Sequence, residues 1–233
     1  MAHSAQSPVP QQEKVIIPNK HGEKLVGLLH DTGSKEIVVL CHGFRSTKEN
    51  ETMVNLAVAL ENEGISAFRF DFAGNGEVKV HLHMDLIAIL DWQMGGLKPK
   101  LLVVGEVDGN RNYSFARGQF GAPICFNNSD ISSVVNVSGR YDLNRGIEER
   151  LGKDFYGKDQ ARRILLMVFT VHGSADEIIP VEDALEFAKI ISNHKLHIIE
   201  GANHSYTSHQ AELSSAVLNF IKETLKQDKG TPN

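Results

Sequence analysis

At 233 residues, 41% hydrophobic and 23% charged, the chain can build one sizeable core and is too short for two comfortable domains. A net charge of -5, with basic residues scattered among acidic ones, offers no basic face of the kind nucleic acid requires, so no nucleic-acid partner is expected. Apolar runs such as Ile164 to Val171 fall far short of a membrane span, and residues 1–14 carry Pro, Gln and Ser where a secretory leader needs an apolar block, so a cytoplasmic location is expected.

Residues 1–12 have a composition that buries nothing and are expected as a mobile lead-in, with a single domain over 13–227. Lys14 to Ile17 and Lys24 to Leu29 flank a Gly-containing loop and read as a β-hairpin. Glu36 to Cys41 (EIVVLC) is a continuous apolar run of the kind buried on both faces of a parallel sheet, and it ends at His42-Gly43-Phe44. From Glu51 to Glu63, Met53, Leu56, Ala57 and Leu60 fall at helical spacing, with Gly64 just beyond as a cap. A strand from Ile65 to Phe70 follows and ends in Asp71, completing a right-handed βαβ unit.

Residues 78–128 lack sustained helical periodicity, and only Leu101 to Val104 reads as a strand there. Alternation then resumes with strands over Val134 to Val137 and Leu166 to Val171, a helix over Val181 to Ile191, a strand over Leu196 to Ile199 and a terminal helix from about Gln210 to Leu225. Cys41 and Cys125 have no metal-ligand spacing, His81 and His83 fall on a possible strand, and His194 and His197 have no cysteine or carboxylate partner at ligand spacing. No metal and no cofactor are expected.

Two segments share one form, a strand followed by a turn bearing a chemically useful side chain: VFTVHGSAD, ending in Asp176, and LHIIEGANH, ending in His204. Functional groups of a doubly wound sheet collect at the carboxyl ends of its strands, so these two are expected at one edge of the sheet. An aspartate that holds a histidine in one tautomer is the supporting pair of an acyl-transfer triad, and the order Asp then His suits it. Alone, Gly-Ser-Ala-Asp is more often an Asx turn and Asn-His a loop histidine. The two together, with His42-Gly43-Phe44 after an early buried strand, favour the catalytic reading.

The blocks VVLCHGFRSTKEN, FRFDFAGNGE, VVNVSGRYDL, VHGSADEIIP and IIEGANHSY resemble those of plant-type α/β-hydrolases of the esterase/lipase and serine-aminopeptidase-like group. With their neighbours they span roughly the first third and last two fifths of the chain, a likeness at the level of the fold family. The resemblance implies the α/β-hydrolase fold, a mostly parallel sheet with flanking helices behind an N-terminal β-hairpin. It also implies Asp176 as triad acid, His204 as triad base, the Phe44 backbone N–H as oxyanion donor, and a small-molecule ester or acyl compound as substrate or ligand.

The pattern breaks at the nucleophile. No Gly-x-Ser-x-Gly string occurs in the chain; the nearest shape, Gly105-Glu106-Val107-Asp108-Gly109, has a valine at its centre. Ser114 lacks the flanking glycines that a strained elbow needs, so no nucleophile is assigned. Ser114 to Phe126, shifted by one nucleotide, permits His-Ser-Gln-Gly-Gly-Asn-Ser-Val-Leu-Leu-Tyr-Ala-Ser, which is similar to the family's elbow and its following helix. The break over 78–128 is therefore read as a frame-shifted or mis-spliced stretch that leaves the centre of the sheet incomplete. Residues 155–165 leave room for only a shortened cap.

Three readings follow: a serine-hydrolase-family protein whose ancestral reaction was ester, thioester or amide hydrolysis through an acyl-enzyme and which is now inactive; a non-catalytic module binding a small ligand; or an unstable product of a faulty gene model.

Overall fold

The alternation of strands and helices in the sequence resolves into one twisted sheet. The computed structural model describes residues 12–19, 22–43, 46–77, 98–104, 133–140 and 167–230. The expected lead-in lies outside the described residues except for Gln12, which opens the first strand.

Strand β1 (Gln12–Pro18) pairs antiparallel with β2 (Lys24–His30). Gly22 turns the chain between them at φ 79°, a left-handed value that glycine adopts without a Cβ clash, and Asn19 Oδ1 accepts the Glu23 N–H at 2.9 Å. β2 then pairs antiparallel with β4 (Ser66–Phe70), where a Cβ on Gly27 would fall into the Phe68 ring.

All remaining pairings are parallel. β3 (Glu36–Cys41) lies between β4 and β5 (Lys98–Val104), followed by β6 (Ser133–Val137), β7 (Met167–Gly173) and β8 (His194–Ile199). The strand order is β1-β2-β4-β3-β5-β6-β7-β8. At the centre of the sheet, where the break was expected, β5 is hydrogen-bonded to β3 on one side and to β6 on the other. The predicted strand over Leu101 to Val104 is its carboxyl-terminal part. Residues 78–97 and 105–132, to which the rest of the expected break belongs, and the expected short cap at 155–165 lie outside the described residues.

Helix α1 (Glu51–Asn62) starts where Asn50 Oδ1 accepts the Thr52 N–H at 2.9 Å and stops before Gly64 at φ 71°. Its buried stripe of Met53, Leu56, Ala57 and Leu60 joins Leu213, Val217, Phe220 and Ile221 of helix α3 (Gln210–Gly230) and the β-branched and aromatic side chains of β3, β6 and β7 in one cluster. The Phe169 and Phe220 rings stack at 4.7 Å within it. Helix α2 (Val181–Ile190) packs on β7 and β8 outside that cluster through Ala184 and Phe187. α3 runs five residues past the expected end at Leu225. Lys226 to Gly230 holds no apolar residue and so carries no periodic signal, but an existing helix extends at little cost. No described helix is long and apolar enough to cross a membrane.

Candidate active site

The parallel register of β7 and β8 runs from Val168 opposite His194 to Gly173 opposite Ile199, so both strands end at the same edge. Beyond them the two turns are joined by backbone. Ser174 N–H donates to Ile199 O at 2.9 Å, Ala175 N–H to Ala202 O at 3.0 Å, and Gly201 N–H to Ser174 Oγ at 2.8 Å. This close approach requires a glycine at 173, because a Cβ there would fall onto the Ala202 carbonyl.

The joined turns bring together the two residues that the sequence singled out. His204 Nδ1 lies 2.8 Å from Asp176 Oδ2. Asp176 Oδ1 accepts the N–H groups of Ile178 at 2.9 Å and Ile179 at 2.8 Å, so the Asx turn coexists with the Asp–His contact instead of replacing it. The Asp176 side chain is fully buried and that of His204 is 11% exposed. Burial by itself would raise the Asp176 pKa, but the hydrogen bonds from His204 and from the Ile179 and Ile178 amides outweigh it and hold the carboxyl below its ordinary value. An ionised carboxylate only accepts, so the hydrogen-bond network assigns the proton to His204 Nδ1 and the basic lone pair to Nε2. The His204 backbone N–H donates to Glu177 Oε2 at 3.2 Å.

A second histidine supports the same turn, and sequence reasoning missed it. His172 is wholly buried, with Nε2 2.9 Å from Ile179 O and 3.4 Å from Asp176 Oδ2. Its Nδ1 has no hydrogen-bond partner among the described residues, and its Nε2–H donates to the Ile179 carbonyl. The signal available was a histidine placed inside an apolar strand four residues before the aspartate.

The turn after β3 is fixed from the segment that follows β4. His42 Nδ1–H donates to Gly43 O at 2.7 Å, while His42 Nε2 accepts the Phe72 N–H at 3.1 Å. Burial lowers the His42 pKa, against smaller opposing effects of the Gly43 carbonyl and Asp71, which suits a neutral strut. Lys48 donates to Asp71 twice, from its backbone N–H at 2.8 Å and from Nζ at 2.7 Å, and Nζ also reaches Glu77 at 2.8 Å. Burial would depress the Lys48 ammonium, yet Asp71 and Glu77 hold it above its ordinary value. Hydrogen bonds from Lys14 and Lys48 bring Glu77 down to about 2. Phe44 lies outside the described residues, as do Ser114 and Gly105 to Gly109. Gly43, Asn50, Met53, Val137 and Tyr206 border a small, mainly apolar cleft at this edge. Among the described residues, no three of His, Cys, Asp and Glu are grouped so as to hold a metal ion.

No family model and no curated protein matches the chain. Solved structures do. An esterase from Pyrococcus furiosus superposes with a TM-score of 0.73 at 20% identity, over 96% of this chain and 96% of that one. Est1E from Butyrivibrio proteoclasticus, with ferulic acid bound, gives 0.69 at 19% identity over 91% of this chain and 100% of that one. A serine hydrolase without a lid from Xanthomonas campestris gives 0.68 at 14% identity over 94% and 97%. At these identities the likeness establishes the fold: this chain has the α/β-hydrolase fold.

Proposed function

We propose that this protein keeps the acid–base half of a serine-hydrolase site, with Asp176 as acid and His204 as base, and has lost the serine that would make it an esterase. The observation that carries this reading is the 2.8 Å contact between Asp176 Oδ2 and His204 Nδ1 at the carboxyl edge of the sheet, in a chain whose sequence holds no Gly-x-Ser-x-Gly. The ancestral substrate class is a small ester, thioester or amide, in keeping with the esterases among the structural neighbours. The shortened cap belongs to the same proposal, and the Xanthomonas hydrolase is described as lidless.

In such a site the base removes the hydroxyl proton as the oxygen attacks the acyl carbon, the aspartate stabilises the imidazolium that forms, and backbone N–H groups, here that of Phe44, hold the oxyanion. Asp176 and His204 supply the proton-handling part of this sequence and nothing that becomes acylated. Loss of a triad member costs most of the catalysis and leaves only oxyanion stabilisation and binding, on the order of 10³–10⁴-fold over water in serine proteases.

The test is paired. Purified protein is treated with a fluorophosphonate probe and assayed on a generic short-chain ester. No labelled serine and hydrolysis near background are expected. Labelling at one serine, together with saturable hydrolysis that Asp176→Asn or His204→Ala abolishes, would overturn the assignment and restore enzyme status.

A further inference from the structure

Among the described residues, only two non-glycine residues have a left-handed backbone, Ser138 at φ 51° and Tyr206 at φ 53°, and their side chains bond to each other. L-residues rarely adopt that conformation, and where they do, surrounding structure must hold them there. Both are buried, at 0% and 1% exposure. Ser138 follows β6 directly and its N–H donates to Val171 O of β7 at 2.9 Å. Tyr206 lies two residues beyond His204, and its hydroxyl donates to the same Val171 carbonyl at 3.2 Å. With the tyrosine proton committed there, the 2.6 Å Ser138 Oγ–Tyr206 Oη contact takes its proton from the serine.

His204 is therefore straddled. On its amino-terminal side Ala202 O is tied to Ala175 N–H of the turn that carries Asp176, and on its carboxyl-terminal side Tyr206 is tied to Val171 of β7, the strand that leads into that turn. Both ties index the His204 turn to β7. Being fully buried, Ser138 is no candidate to replace the missing nucleophile. We infer that the Ser138–Tyr206 hydroxyl pair, closed on the Val171 carbonyl, is a positioning device that holds the His204 ring against Asp176. The inference rests on the reading of Asp176 and His204 as an acid–base pair.

The experiment follows the His204 imidazole by NMR in the whole protein, recording its titration and the low-field Nδ1–H signal of the Asp176 contact, with Asp176→Asn as reference. An anionic neighbour raises a histidine pKa, so a looser contact lowers it. Tyr206→Phe and Ser138→Ala are each expected to lower the His204 pKa by roughly 0.5 unit or more and to weaken the low-field signal, while the double variant does no more than either single change, as coupled partners require. Ser138→Gly accepts the left-handed backbone but lacks the hydroxyl, and it is expected to behave like Ser138→Ala. If the titration and the low-field signal stay unchanged in the serine variants while stability falls, or if Ser138→Gly matches the wild type, the pair is merely structural and the inference is overturned. The serine variants decide the matter if Tyr206→Phe does not fold. Should Asp176→Asn itself leave the His204 titration unchanged, the acid–base reading fails and this inference with it; if only the hydroxyl variants are silent, this inference alone fails.

Discussion

Gly173 and Ala202 meet so closely that the last residue of β7 has no room for a side chain beneath the turn that carries His204. The Ala202 carbonyl also accepts the Ala175 N–H at 3.0 Å, so it cannot retreat without breaking a backbone bond. Gly173→Ala is expected to destabilise the protein by about 1–3 kcal/mol, the usual range for forcing extra atoms into a packed site. It should also alter the His204 resonances, because the displaced turn bears that ring. Urea unfolding and imidazole chemical shifts measure the two effects; an unchanged midpoint would mean that the turn moves freely.

The depressed pKa of Asp176 makes part of the stability dependent on pH. A carboxyl whose folded-state pKa lies below its unfolded value contributes stability that is fully present above about 3.9 and is lost as pH falls through the folded value. Asp176→Asn should therefore be less stable than the wild type near neutrality, by about 1.5–3 kcal/mol for a buried charge-assisted hydrogen bond. The gap should narrow below about pH 4. Denaturant melts of both proteins from pH 7 to pH 3 would show a gap constant over that range if the carboxylate were not involved.

The Lys48–Asp71 pair is fully inside, with side chains 4% and 0% exposed, whereas Glu77 is half exposed at 49%. Lys48→Met leaves the Asp71 carboxylate buried without its cation and should cost about 3–5 kcal/mol. Glu77→Gln should cost far less, because water screens that partner. The order of the two variants in urea midpoints is the measurement, and equal losses would show that the network acts as one unit.

The sheet is hydrogen-bonded from β1 through β8 without a gap, β5 included. Such a continuous sheet around one core is expected to unfold cooperatively and reversibly, with coincident transitions by far-UV circular dichroism and by the His204 imidazole resonance. Separate or featureless transitions would favour the reading of the chain as the unstable product of a faulty gene model.

Much of this was legible in the residues. EIVVLC is apolar past Glu36, and SAFRF carries Ala67, Phe68 and Phe70 around a buried Ser66 and Arg69; a segment buried on both faces needs such a largely apolar composition wherever it pairs, so β3 and β4 are found within a residue of their expected bounds. The α1 stripe and its glycine stop are equally local. Asp176 and His204 were identifiable because each follows an apolar strand on a turn, and the parallel pairing of consecutive βα units brings such turns to one edge.

The amino-acid sequence by itself determined most of the elements, the mostly parallel character of the sheet, the absence of a Gly-x-Ser-x-Gly elbow and the two residues worth bringing together. The tertiary structure alone decided how they are held: Gly173 under Ala202, His172 against Ile179, Lys48 on Asp71, and Ser138 on Tyr206. Periodicity and turn chemistry report each residue's own backbone and burial. The partners of these side chains lie 7 to 68 positions away, at distances that no local pattern encodes and that only the packed sheet closes.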